Sequence, residues 1–261
     1  MLMKYREFIE LMEEIAPTED YREIDNSGPQ IVSGAEDVRK VLVCLEINMD
    51  VIREAEEKGA DVILTHHPLI FTPEECIDSG DFPGRYIYEC IRRGISVYSA
   101  HLSFDFAPKG NNTYLAFLLG LTYVDEGSVD CEYRGRFEEP VSFDEAVSLV
   151  EKALDLPANY VRCVDGGKEK IRTVGLCTGA GGSYIPGAVK NGCDLFVTGD
   201  LKFHEAQYAK AAGISVIDAG HYGTEKIFVE NMAHQIYAKA AQKSLDIDVI
   251  MAEANTNPYT L

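Results

Sequence analysis

Four of the six histidines in this 261-residue chain fall at positions where they could do chemistry. His66 and His67 directly follow the apolar run Val62-Ile63-Leu64, in Thr65-His-His-Pro68. His101 follows the next apolar run, with Asp105 four residues later. In the second half His221 stands after a similar run, with Glu225 again four residues on. Neutral imidazole suits zinc, iron, nickel and manganese, and carboxylates add charge and can bridge two ions. His66, His67, Asp105, His221 and Glu225 offer five side-chain ligands. That is too few to close two structural sites, but it suits two ions that share a carboxylate and keep positions open for water. Ions about 3.5–4 Å apart polarise an oxygen and generate hydroxide near neutral pH. No cysteine joins these clusters, which argues against a structural zinc knot. A lone histidine after a strand is more often a packing residue, and a His-x-x-x-carboxylate pair also arises as a surface helix contact. Adjacent imidazoles at the end of a buried strand are harder to explain in either way.

Other constellations carry less. Gly179-Ala-Gly-Gly-Ser183 follows a strand and has two readings, an anion cradle built from backbone N–H groups or a tight turn into a helix over Ile185–Lys190. It lacks the Lys-Ser/Thr ending of a P-loop. Thr198-Gly-Asp200 is the second-half counterpart of Thr65-His-His67, with Asp200 read as a supporting carboxylate or a helix cap. His204 reads as a surface or supporting residue, and His234 as structural. No serine nucleophile elbow or Cys–His signature is present.

The elements that must position these residues alternate along the chain. Val41–Leu45, Asp61–Leu64 and Ile95–Ser99 read as strands. Val51 to Lys58 reads as a helix stopped by Gly59, and Arg85–Arg93 as one stopped by Gly94. Continuous apolar strands between helices predict an α/β fold with a sheet buried on both faces. Met1–Ala16 reads as an amphipathic helix. The apolar run Tyr114–Val124 is too short for a bilayer and reads as a core helix.

The second half restates the order. Ser142-x-x-Glu145 is a capping box. Strands follow at Val174–Cys177, Leu195–Val197 and Ile214–Ile217, with helices at His204–Ala212 and from Thr224 to about Lys243. Lys58-Gly-Ala-Asp-Val-Ile-Leu-Thr65 parallels Asn191-Gly-Cys-Asp-Leu-Phe-Val-Thr198, and Gly94-Ile-Ser-Val parallels Gly213-Ile-Ser-Val. Two similar α/β lobes are expected, an internal pseudo-duplication over 1–125 and 126–261, joined near Asp125–Pro140.

Composition narrows the function. Lys and Arg total 24 against 43 Asp and Glu, a net charge of −19. Such a chain repels phosphate backbones and anionic lipid surfaces, which disfavours a nucleic-acid binder and a membrane-surface protein. Seven cysteines, an odd number without a C-x-x-C pair, fit buried thiols in a reducing compartment. A soluble, cytoplasmic protein is expected.

Several strings together resemble the Nif-three-like family of dinuclear metal proteins, labelled GTP cyclohydrolase 1 type 2 homologues. They are Asp25-Asn-Ser-Gly28, Ala60-Asp-Val-Ile-Leu-Thr-His-His-Pro-Leu-Ile-Phe71, Ser99-Ala-His-Leu-Ser-Phe-Asp105, Thr198-Gly-Asp-Leu-Lys-Phe-His204 and Asp218-Ala-Gly-His-Tyr-Gly-Thr-Glu225. They run in order across nearly the whole chain. The resemblance implies two α/β lobes facing a metal-binding cleft and a toroidal homohexamer. It assigns two divalent ions (zinc, iron, manganese, nickel or cobalt) to His66, His67, Asp105, His221 and Glu225, with Glu225 the bridge. It puts His101 in the same site, as a ligand or a proton relay, here taken as the catalytic residue. Larger members carry an inserted domain between the halves, which this short form lacks. Glu46 stands where the family often has Asp, and Asp25-Asn26-Ser27 lacks the usual bulkier entry; both departures are expected to lie clear of the ligands.

The function expected first is a metal-dependent hydrolase acting on a nucleotide-like or phosphorylated small molecule, with GTP the named candidate. Two other classes compete: a metal-binding regulatory or scaffold protein that binds a partner protein, and metal storage or delivery.

Overall fold

The computed structural model describes residues 2–34, 36–125 and 133–260. The chain packs as two units, Met1–Ala107 with Phe228–Leu261, and Pro108–Ile227. In the first, a five-stranded sheet runs in the order Asp248–Met251, Lys40–Cys44, Val62–Thr65, Ser96–Ser99, Gly28–Ile31. The first four strands are parallel and Gly28–Ile31 is antiparallel. Val62–Thr65 and Ser96–Ser99 are buried at every position. This is why neither alternates: Val62–Leu64 is continuously apolar, and the buried Ser96 and Ser99 hydroxyls are hydrogen-bonded. The helices Met49–Lys58 and Gly84–Arg93 bury Val51, Ile52, Ala55, Ile87 and Cys90 in the same core. Asn48 caps the first of them, its side chain accepting from the N–H groups of Asp50 and Val51 at 3.0 and 2.9 Å.

The second unit holds a six-stranded sheet in the order Thr122–Asp125, Tyr133–Val141, Ile171–Leu176, Leu195–Thr198, Ser215–Asp218, Arg162–Val164. Its Ile171–Leu176, Leu195–Thr198 and Ser215–Asp218 strands are parallel, and Tyr133–Val141 and Arg162–Val164 flank them antiparallel.

The matched strings in the two halves make matched bonds. Asp61 Oδ2 accepts from the N–H groups of Arg39 and Lys40 at 2.7 and 3.0 Å. Asp194 Oδ2 accepts from those of Arg172 and Thr173 at 3.0 and 2.9 Å. Each carboxylate therefore ties the start of the neighbouring parallel strand. Gly94 and Gly213 end their helices in the left-handed conformation. The serine of each Gly-Ile-Ser-Val string then accepts an N–H from the segment beyond the antiparallel edge strand, Ser96 from Ser33 and Ser215 from Gly166, both at 3.1 Å.

Some elements differ from expectation. The Tyr114–Val124 run is a helix over Asn111–Leu118 followed by a strand over Thr122–Asp125. The left-handed Gly120 separates them. The helix expected from Thr224 is two, His221–Glu225 and Ile227–Gln242. Met3–Lys4 pairs with Asp37–Val38 before the first helix, Tyr5–Ile15, begins. Packing does not divide the chain at 125/126. The Asp248–Met251 strand adds beside Lys40–Cys44, so the C-terminal segment belongs with the first unit. Of the expected connection, 126–132 lie outside the described residues, as does Cys131. Among the described residues no helix is long and apolar enough to cross a membrane.

Candidate metal centre

The C-terminal end of the parallel strands in an open α/β sheet is where ligands bind, because the turns there leave backbone and side chains facing a crevice. In the first unit, His66 and His67 leave the Val62–Thr65 strand at that end and His101 leaves Ser96–Ser99. Their ring centroids lie 5.1 Å (His66–His67), 5.2 Å (His66–His101) and 5.7 Å (His67–His101) apart. One ring nitrogen from each lies within 4.8 Å of the others. His66 is fully buried, and its ring also packs against Phe228.

Each imidazole has its orientation fixed by a bond at Nδ1. His66 Nδ1 faces the Ala100 carbonyl oxygen at 2.8 Å, His67 Nδ1 the Glu46 carboxylate at 2.9 Å and His101 Nδ1 the Asp25 carboxylate at 2.8 Å. Carbonyl and carboxylate oxygens accept, so each ring donates from Nδ1, which in the neutral ring puts the lone pair on Nε2. This is the pattern by which proteins orient imidazole ligands. His66 Nε2 lies 3.6 Å from Asp105 Oδ1. Asp105, buried on the short helix Leu102–Asp105, is thus brought together with His66.

The second unit carries the same device. His221 opens the helix after the Ser215–Asp218 strand, and Glu225 closes that helix, buried. Nδ1 of His221 lies 2.8 Å from Asp200 Oδ2, and its Nε2 lies 2.9 Å from Glu225 Oε2. Asp200 holds φ +50°, a left-handed conformation that Asp tolerates better than most residues. The reading of Asp200 as a supporting carboxylate therefore fits its geometry.

Gly179–Ser183 forms a turn that leads into the helix Ile185–Lys190. The N–H of Gly179 donates to Thr224 Oγ1 at 3.0 Å, and that of Gly181 to Thr198 Oγ1 at 2.9 Å. These amides are engaged within the protein. Gly179 matters in another way, because a Cβ there would overlap Glu225 Oε1. The missing side chain is what lets the loop pack on the carboxylate. His204 is exposed on the helix Phe203–Ala212, with Nδ1 3.0 Å from Gln207 Oε1. His234 is exposed on Ile227–Gln242 and contributes nothing to a core.

Glu46 and Asp25 correct the sequence reading. The expectation sets both clear of the ligands, and both bind an imidazole of the cluster. Ser27 Oγ donates to Asp25 and accepts the His101 N–H at 3.0 Å. Burial pushes the Asp25 carboxyl up, but the bonds from His101 and Ser27 outweigh it and hold the carboxyl below its ordinary range. The signal in sequence is the Asp25-Asn-Ser string itself; a carboxylate 76 residues from its histidine has no spacing that gives it away.

The donor sets fit divalent metal. Nitrogen and carboxylate oxygen converge, no sulfur among the described residues joins them, and in each unit an imidazole Nε2 faces a carboxylate oxygen. Two acceptors at that separation repel unless a cation or proton lies with them, and low local dielectric sharpens that repulsion. These histidine and acid groups can hold a metal ion.

Comparison with known proteins follows the same lines. The family model Duf34/NIF3 (NGG1p interacting factor 3) matches residues 3–258. A "GTP cyclohydrolase 1 type 2 homolog" of Streptococcus pneumoniae is 31% identical over 262 residues, covering 97% of this chain and 97% of its own. A protein of the same name from Clostridium perfringens is 29% identical over 264 residues, covering 98% and 99%. A crystal structure of a Staphylococcus aureus hypothetical protein superposes with a TM-score of 0.91 over all of both chains at 24% identity, a likeness of fold.

Proposed function

The chain belongs to the Duf34/NIF3 family, and from that premise we propose that it is a metal-dependent hydrolase of nucleotide-like or phosphorylated small molecules. His66, His67, Asp105, His221 and Glu225 hold two divalent ions in this reading. The observation that carries it is the imidazole whose Nδ1 is tied and whose Nε2 faces a carboxylate, present in both units. When bound, divalent ions polarise a substrate oxygen and acidify water.

The chain's own residues do the rest. Ala100, Glu46 and Asp200 hold three imidazoles in the tautomer that ligates. His101 takes the proton at Nε2 and returns it to the leaving group, while Asp25 holds its Nδ1–H and stabilises the ring when charged. The names of the relatives support a guanine nucleotide as the first substrate to try. Family resemblance supports a homohexamer, which mass measurement in solution tests.

The test is a hydrolysis screen of GTP, other nucleotides and phosphoesters on protein of measured metal content, with Glu225→Ala and His101→Gln alongside. The reading expects turnover that Glu225→Ala loses together with metal, and that His101→Gln loses while keeping metal. Bound metal without turnover on any substrate would overturn it in favour of a metal-binding regulatory protein.

A further inference from the structure

Phe71 closes the segment that begins with His66, and 58% of it is exposed. Single exposed aromatics are common; this one is distinguished by how it is held. Its ring meets the His101 ring edge-on, with centroids 6.2 Å apart and planes at 83°. The residue before it is pinned on both sides: the Ile70 N–H donates to Gln30 Oε1 at 3.0 Å, and Asn26 Nδ2 donates to the Ile70 carbonyl. Gln30 Nε2 in turn donates to the Asn26 carbonyl at 2.6 Å. Asn26 is the neighbour of Asp25, which orients His101. One short segment, 25–30, therefore sets both the imidazole and the aromatic ring beside it.

An exposed aromatic that follows a pinned residue and lies beside a proton-transferring imidazole offers a stacking surface. Its surroundings say which part of a substrate it takes. The residues that follow include the exposed acids Glu74, Glu75, Asp78 and Asp81, and the whole chain carries −19. A phosphate is repelled here, whereas a neutral planar ring loses nothing to charge and gains from stacking.

We propose that Phe71 is the platform on which a planar heteroaromatic ring of the substrate, a nucleobase in the first instance, stacks beside His101. The proposal rests on the hydrolase reading for its substrate class. Phe71 acts on substrate binding, whereas Asn26 and Gln30 are positioning residues.

The chain contains no tryptophan, so Phe71→Trp introduces a single indole that, excited beyond the absorption of the 14 tyrosines, reports on this position alone. The probes are GTP, GMP, ribose 5-phosphate and inorganic phosphate, added to full-length protein of measured metal content. Saturable quenching by GTP and GMP, with none from ribose 5-phosphate or phosphate, is expected. By calorimetry, Phe71→Leu is expected to bind GMP roughly 5- to 150-fold more weakly than wild type, the range of base–aromatic stacking. Equal responses to all four probes, or none to the nucleotides, would overturn the platform; if ring-less phosphoesters were still hydrolysed, the hydrolase reading would survive. Emission that follows protein concentration instead of nucleotide would overturn it too, by placing Phe71 between copies of the chain. Quenching by nucleotides with no hydrolysis of any substrate would keep the platform and remove the hydrolase.

Discussion

Nδ1 of His66 lies 2.8 Å from the carbonyl oxygen of Ala100. The main chain repeats the tie: the Ala100 N–H donates to the Thr65 carbonyl at 2.9 Å, and Ser99 Oγ donates to the His66 carbonyl at 2.8 Å. The imidazole is thus locked by the end of the adjacent parallel strand, and its lone pair has one direction left. Sheet register, not loop flexibility, aims this nitrogen.

Glu46 is the corresponding support for His67 and the more accessible to test. Glu46→Ala removes the acceptor at Nδ1 while leaving a half-exposed surface position. Metal affinity, measured by titration against a competing chelator, is expected to fall about 10- to 100-fold, as losses of such supports do. Unchanged affinity would show that His67 needs no orientation.

Gly179 controls Glu225 through space. In Gly179→Ala the new methyl overlaps Glu225 Oε1, and the residue also sits at φ +67°. The variant is expected to lose at least about tenfold in metal affinity through a displaced carboxylate. It is expected to lose about 1–3 kcal/mol in unfolding free energy through the strained backbone. Metal affinity equal to wild type would detach the loop from the site.

Asp194 gives a pH signature away from the metal groups. Burial pushes its carboxyl up, but Lys168 and the N–H groups of Thr173 and Arg172 outweigh that and hold it below the ordinary 3.8. A carboxylate depressed in the folded state adds stability that is present above its unfolded value and lost as pH falls through the folded one. Asp194→Asn is expected to cost roughly 1–2 kcal/mol at about pH 6 by denaturant unfolding. The gap to wild type is expected to begin narrowing below about pH 4, the unfolded-chain value, and to close as the depressed folded-state carboxyl protonates. A gap that stays constant into acid would mean that shape, not charge, matters at this position.

Much of this was legible along the chain. Apolar runs such as Val41–Leu45 and Val62–Leu64 marked buried parallel strands, and Gly59, Gly94 and Gly213 marked the helix ends. The repeated Gly-x-Asp and Gly-Ile-Ser-Val strings marked two sheets built alike, because Asp61 and Asp194, and Ser96 and Ser215, make the same bonds. The histidines were visible because imidazole is rare and their places were odd. What stayed hidden depends on long-range packing. No local pattern announces that Asp248–Met251 returns to Lys40–Cys44, or that Asp25 meets His101 and Glu46 meets His67. Carboxylates are common in so acidic a chain, so only the fold distinguishes the few that hold an imidazole from the many that are solvated.

Whether the histidine and acid groups hold metal is answered by elemental analysis per chain, on protein purified without chelator or histidine tag. Wild type would be measured beside His66→Ala and Glu225→Ala, with circular dichroism to confirm that each variant is folded. About two divalent ions per wild-type chain are expected, with a loss in both folded variants. Wild-type protein without stoichiometric metal, or folded variants that keep their full complement, would contradict the metal centre.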